Sequence, residues 1–206
     1  MNQEIELVDV AAILPQVGID MKYATPDNIT GQSIYSENRC LLHPDAANAL
    51  TRSVEIAALA GFTLLIYDAY RPKKAQEYLW LACPDPKYVM AVSLGSNHSR
   101  GTAVDVTLID ATGQVLDMGT GFDEMNERSH PYHPDVPLAA QRNRLLLNAI
   151  MFGGGFIGIA SEWWHFELPA SSDYPLLSDR FDCIAPQNIK TPDVHHSPTL
   201  KPGALS

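Results

Sequence analysis

Two short segments of the chain hold residue types that bind metals and move protons. The first is Gly95-Ser96-Asn97-His98-Ser99-Arg100-Gly101-Thr102-Ala103-Val104-Asp105, and the second is Ser161-Glu162-Trp163-Trp164-His165. From Thr102 onward the first reads as a strand. Alternation then sets Val104, Val106 and Leu108 on one face and Ala103, Asp105 and Thr107 on the other. The apolar set belongs to a core, which leaves Asp105 on a small polar face with room beside it. Gly101 lies between His98 and Asp105 and permits the bend that carries the imidazole back over the carboxylate. In the second segment, period two sets His165 with Trp163 and Glu167. Glu162 stands just before that strand, where a turn aims it at the face of His165. Two imidazoles and one carboxylate suit Zn²⁺ and leave a fourth position for water. An uncoordinated glutamate nearby is what such a site needs to deprotonate that water. The residues alone also allow a plainer reading, since loop histidines are common, a lone His and Asp is a weak motif, and paired tryptophans are usually core. They point to metal-assisted hydrolysis and name no substrate.

The elements that must position these residues follow from periodicity and punctuation. Ala47, Leu50, Val54, Ala57 and Ala58 recur at helical spacing after Pro44, and Gly61 stops that helix. Residues 62–67 are apolar and short, a buried strand. Pro72 opens a helix that runs to about Ala82. Residues 102–109 and 114–118, separated by Asp110-Ala111-Thr112-Gly113, read as a hairpin. A helix over 138–152 ends in Gly153-Gly154-Gly155, and a strand covers 163–168. Residues 1–40 read as loops with one short strand near 19–23. The order is mixed, with hairpin signals and few βαβ units, so the expected class is α+β: a single compact domain, mainly antiparallel sheet with flanking helices. That domain spans 1–185. The tail 186–206, which includes His195 and His196, is expected to be loosely ordered.

Composition bounds the function. The chain has 206 residues, 46% hydrophobic and 18% charged, with a formal net charge of −10. One domain of this size builds a core without disulfide or structural metal, so a bound metal would serve chemistry. The net negative charge disfavours nucleic acid and anionic lipid as partners. Three cysteines at wide spacing, with no CxxC pair, indicate neither a cysteine zinc site nor a disulfide framework. No secretory leader pattern and no membrane-length apolar run is visible, and the expected location is the cytoplasm; a chain trimmed of its leader would read the same way.

Several motifs together resemble one family. They are Lys22-Tyr23-Ala24-Thr25 with Asn28-Ile29-Thr30-Gly31, Arg39-Cys40-Leu41-Leu42-His43, Ile66-Tyr67-Asp68-Ala69-Tyr70-Arg71-Pro72, and the two segments above. From about residue 7 to 183 the chain resembles the VanX-type D-alanyl-D-alanine dipeptidases of the zinc D-Ala-D-Ala metallopeptidase superfamily. The resemblance implies the D-Ala-D-Ala peptidase/Hedgehog-like fold and one Zn²⁺ per chain held by His98, Asp105 and His165. It implies Glu162 as general base and acid, and Arg71 as the group that stabilises the oxyanion. Taken alone, Arg71 reads as an ion pair with Asp68 or another carboxylate. The resemblance further implies that Ser96 and Asp123 hold the dipeptide, Asp123 at its ammonium, and that Tyr23 or Tyr35 lines the pocket. The residues leave the oligomeric state open, and the resemblance allows a homodimer.

The expected reaction is hydrolysis of D-alanyl-D-alanine to two D-alanines. One rival is a D,D-carboxypeptidase of the same superfamily acting on cell-wall stem peptides, from which the missing leader points away. The other is a zinc-binding module without catalysis, from which Glu162 and Arg71 point away. The residues do not separate glycopeptide resistance from D-alanine salvage.

Overall fold

A computed structural model describes residues 5–187. The expected tail, with His195 and His196, lies almost wholly outside the described residues. Short elements open the chain: β1 (Val8–Asp9), α1 (Val10–Ile13) and β2 (Gly18–Ile19). Then follow β3 (Leu41–Leu42), α2 (Pro44–Leu59), β4 (Thr63–Asp68) and α3 (Lys73–Ala82). The second half carries β5 (Ala103–Ile109), α4 (Leu138–Gly154), β6 (Ile157–Gly158) and β7 (His165–Glu167). The main sheet has five strands in the order β2-β4-β5-β7-β6, and β1 pairs with β3 in a separate ribbon. β2 and β4 run parallel; the other neighbours of the main sheet are antiparallel. The α+β class and the mainly antiparallel sheet agree with the sequence pattern. No helix among the described residues is long and apolar enough to cross a membrane.

The long elements form where periodicity placed them, and the differences have local causes. The strand expected at 19–23 shrinks to Gly18–Ile19, and Lys22–Ala24 winds into a 3₁₀ turn. Asn28 causes this, because its amide donates to the carbonyls of Lys22, Thr25 and Gln32 and gathers the backbone into a loop. The return arm of the expected hairpin at 114–118 forms no strand. It makes one bridge, Ile109 to Val115, and the bond from Leu116 N to Leu108 O. Along that edge β5 is already paired with β7 at Ala103, Val104 and Asp105, so only its far end is free. The alternation expected across 163–168 starts only at His165. Trp163 and Trp164 lie before the ladder, edge to face at 5.4 Å.

Two features of this frame aim side chains at one place. β4 carries a register shift between Ile66 and Asp68, which sets Asp68 opposite Asp105 at the end of the strand. A bulge of this kind re-aims the residue that follows it. In β5, Val104, Val106 and Leu108 enter the core as expected, but the face carrying Ala103, Asp105 and Thr107 is buried as well. Loops roof that face.

The roof over 118–130 depends on a group that sequence reading passed over. Arg144 is fully buried on α4 among Ala140, Leu147 and Met151. Its guanidinium donates to the carbonyls of Met118 (2.6 Å), Arg128 (2.9 Å) and His130 (2.8 Å), and to Thr120 Oγ1 (3.1 Å). A buried charge with this many acceptors fixes a loop that has no ladder of its own.

Helices α2 and α4 pack against each other at a glycine. A methyl group on Gly154 would meet the Ser53 Oγ at 1.9 Å, the Ala49 carbonyl at 2.8 Å and the Ser53 backbone nitrogen at 2.9 Å. The backbone of α2 cannot yield without parting the helices. Gly154→Ala is therefore expected to lower unfolding free energy by about 1–3 kcal/mol. A denaturant titration in which its midpoint matched the parent's would contradict that contact.

Candidate metal centre

Asp105 sits on the middle strand and meets a partner on either side. β4 sets Asp68 opposite it, and β7 sets His165 opposite it. Directly opposed residues share a face of the sheet, so these three side chains converge without help from loops. His98 arrives from above, on a 3₁₀ turn at His98–Arg100 that ends in Gly101 with φ of 70°. A methyl group there would meet the His43 backbone nitrogen at 2.9 Å, so both the fold-back and the close approach call for glycine. The His43 N–H donates to the Gly101 carbonyl, and the Arg71 N–H to the His98 carbonyl, which pins the turn to the sheet.

The donor atoms form a near-equilateral triangle. His98 Nε2 lies 3.1 Å from His165 Nδ1, His165 Nδ1 lies 3.1 Å from Asp105 Oδ1, and His98 Nε2 lies 3.3 Å from Asp105 Oδ1. Zinc bonds of about 2.0–2.1 Å give tetrahedral edges of about 3.3 Å. The partners of the opposite ring nitrogens show which lone pairs are presented. His98 Nδ1 is 2.7 Å from the Ala69 carbonyl, which can only accept, so it carries the proton and Nε2 is the free lone pair. His165 Nε2 is 2.9 Å from Glu167 Oε2, which frees Nδ1 in the same way. Asn97 in turn donates to Glu167 Oε2. Ligating histidines are oriented by just such partners. Two nitrogen lone pairs and a carboxylate oxygen aimed at one point repel each other unless a cation lies between them, so the donor set fits a divalent metal. Among the described residues it is the only group of this kind.

Electrostatics agree with this geometry. Burial works against a charge on His165, but Asp105 and Glu167 outweigh it and push its pKa up to about 10. Burial also opposes the Asp105 charge, yet His98 and His165 hold that carboxyl well below the usual range. Both shifts record a field that draws positive charge to the centre of the triangle.

A cavity of about 320 Å³ opens beside the triangle. Arg71, Ser96, Asp123 and Glu162 all line it, as do Tyr23 and Trp164. No protein donor among the described residues reaches the Glu162 carboxylate, and burial pushes its pKa up to about 8. Ser96 Oγ accepts the His98 N–H at 3.2 Å. Asp123 has a left-handed backbone, φ 58°, and its two oxygens accept from Tyr23 OH (2.9 Å) and the Ile29 N–H (3.0 Å). Burial still pushes its pKa up to about 7.

The structure thus brings together every expected site residue except one at the cavity wall. Tyr35 lies a layer behind it, with its hydroxyl donating to Asp68 Oδ1 at 2.8 Å. Asp68 Oδ2 then accepts from Arg71 Nε at 2.9 Å and stands 2.9 Å from Nη2 as its ion-pair partner. The ion pair that the plainer reading assigned to Arg71 is present, and the guanidinium reaches the cavity as well. Sequence reasoning missed the supporting roles of Glu167, Asn97 and Gln76. Only Glu167 left a signal, since it alternates with His165.

A carboxyl whose folded pKa lies above its free value of 4.5 binds its proton more tightly in the fold, so it costs stability as pH rises through about 8. In metal-free protein, Glu162→Gln should therefore exceed the parent in stability at about pH 9 and match it near pH 4. Urea unfolding in chelator would show no such divergence if Glu162 were freely solvated.

Residues 3–187 match the Peptidase_M15 family model, described as D-ala-D-ala dipeptidase. The D-alanyl-D-alanine dipeptidase of Escherichia coli strain K12 is 66% identical over 184 residues, covering 89% of this chain and 95% of that protein. Its counterpart in Enterococcus faecium is 35% identical over 200 residues, covering 87% and 98%. That of Streptomyces coelicolor is 38% identical over 170 residues, covering 72% and 84%.

Proposed function

The chain belongs to the D-ala-D-ala dipeptidase family of peptidases, and from that premise we propose that it hydrolyses D-alanyl-D-alanine to two D-alanines with one Zn²⁺. The observation that carries this reading is the convergence of His98 Nε2, Asp105 Oδ1 and His165 Nδ1 beside a cavity that Glu162 and Arg71 also line. Zn²⁺ held by those three atoms would act as a Lewis acid and lower the pKa of water to about 7.

The side chains supply the rest. Among the described residues, Glu162 is the only one of the cavity's carboxylates that neither belongs to the donor triangle nor accepts a hydrogen bond from the protein. Its burial-raised pKa lets it take a proton from the attacking water and pass it to the leaving amine near neutral pH. Arg71 stays charged at any working pH, and its remaining N–H groups meet the negative charge that develops on the scissile carbonyl oxygen. Asp123, which also lines the cavity, is the counter-charge for the free ammonium of the dipeptide. Ser96 spends a lone pair on the His98 turn, which leaves its hydroxyl hydrogen to donate to substrate.

Two variants and a chelation test check these assignments. Glu162→Gln should remain folded and bind zinc but lose nearly all alanine release. Arg71→Ala should cost on the order of 10²–10³ in kcat by analogy with single oxyanion donors. Substantial turnover by Glu162→Gln would overturn the assignment of the base. Chelator should abolish activity and Zn²⁺ restore it.

The pH profile offers a further check. Asp123 is neutral below about 7 in the empty site, so kcat/KM should fall as pH drops through that value. Asp123→Asn should raise KM more than it lowers kcat. Release from free D-Ala-D-Ala, compared with release from an acylated pentapeptide, separates a dipeptidase from a carboxypeptidase.

A further inference from the structure

Gln76 lies on the first turns of α3, is only 2% exposed and reaches two partners. Its Oε1 accepts from Arg71 Nη1 at 2.8 Å, and its Nε2 donates to the Met90 carbonyl at 2.7 Å. We infer that Gln76 is a positioning residue that fixes the plane of the Arg71 guanidinium and ties it to the 86–90 wall of the cavity.

The geometry of Arg71 shows why a second anchor is needed. Its Nε donates to Asp68 Oδ2, and Nη2 lies 2.9 Å from that same atom as an ion-pair contact. A contact at one oxygen is a pivot about which the planar group can swing. The far end of the fork, Nη1, is held by Gln76 alone among the described residues. The Tyr23 ring, 5.0 Å from the guanidinium carbon, limits tilt but supplies no directional bond. Of the five N–H bonds of a guanidinium, the hydrogen bonds to Asp68 and Gln76 occupy two. One N–H on Nη1 and those on Nη2 are then left beyond these two bonds. Asp105 Oδ2 stands 3.6 Å from Nη2, too far for a normal hydrogen bond. Gln76 therefore decides where the free donors point.

The same amide links Arg71 to Met90. Residues Lys87, Tyr88, Val89 and Met90 line the cavity, and Gln76 is their direct polar tie to the arginine. A shift of that wall moves the amide and, through Oε1, the donor that faces the reacting oxygen. Small misplacements of a charged donor are costly in rate.

This role rests on the reading of Arg71 as the oxyanion donor, and the experiment separates the two. Gln76→Met keeps length and removes both bonds; Gln76→Asn keeps the amide and shortens its reach, and serves if the first fails to fold. In zinc-supplied protein, either variant should lower kcat on D-Ala-D-Ala by about tenfold with KM changed less than about twofold. In an Arg71→Ala background the same change should move kcat by less than about twofold, because the group it positions is gone. Nitrogen-15 spectra give a readout that needs no substrate. Hindered rotation should resolve the Arg71 Nη resonances in the parent, and they should merge in Gln76→Met. Gln76→Glu, which keeps an acceptor for Nη1, should leave them resolved. Resolved resonances in Gln76→Met, or equal rate losses with and without Arg71, would overturn the inference. A parent protein that releases no alanine would instead sink the proposed reaction, with the resonances alone deciding the role of Gln76.

Discussion

An excess of buried negative charge around Asp105 governs the architecture of this site. Asp68, Asp105, Asp123 and Glu162 are each less than a tenth exposed, and Glu167 stands behind His165. Arg71 is the one guanidinium among them. Burying several carboxylates with one fixed cation is unfavourable unless further positive charge is supplied. In the proposed reaction that charge would come from a metal within the donor triangle and a substrate ammonium beside Asp123, and the unfavourable field of the empty protein would then favour both.

The sheet and the loops divide the work of placing these groups. Cross-strand register brings Asp68, Asp105 and His165 side by side, because opposed residues on adjacent strands can face nowhere else. Three of the segments that approach from outside the sheet are held by polar side chains reaching backbone carbonyls. Asn28 gathers the loop that bears Tyr23, Arg144 staples the loop that bears Asp123, and Gln76 ties the 86–90 wall to Arg71. Such bonds are directional and, once buried, costly to leave unmade. They give irregular segments the precision that ladders give to strands.

Protonation and orientation are coupled throughout the centre. The Ala69 carbonyl and Glu167 each take one ring hydrogen, and so determine which lone pair each imidazole offers. Tyr35 does the equivalent for Asp68, whose remaining oxygen carries Arg71. His98, His165 and Asp68 are thus each held from behind, by the Ala69 carbonyl, Glu167 and Tyr35.

Much of this was legible in the chain. The helices at α2, α3 and α4 and the strands β4 and β5 follow from apolar spacing and from proline and glycine punctuation, since a long periodic segment has one way to bury its apolar face. His98, Asp105, Glu162 and His165 were visible because metal and proton chemistry use few residue types, and Arg71 through the motif around it. Tertiary structure alone decided what depends on contacts between distant residues. Two-residue strands such as β1 and β3 carry no period, and the lost return arm of the hairpin reflects competition with β7 for one edge of β5. Tyr35 and Gln76 are ordinary in sequence, and only the folded chain sets one behind Asp68 and the other against Arg71. Local patterns report how a segment buries itself; which buried polar atom meets which is settled by the whole fold.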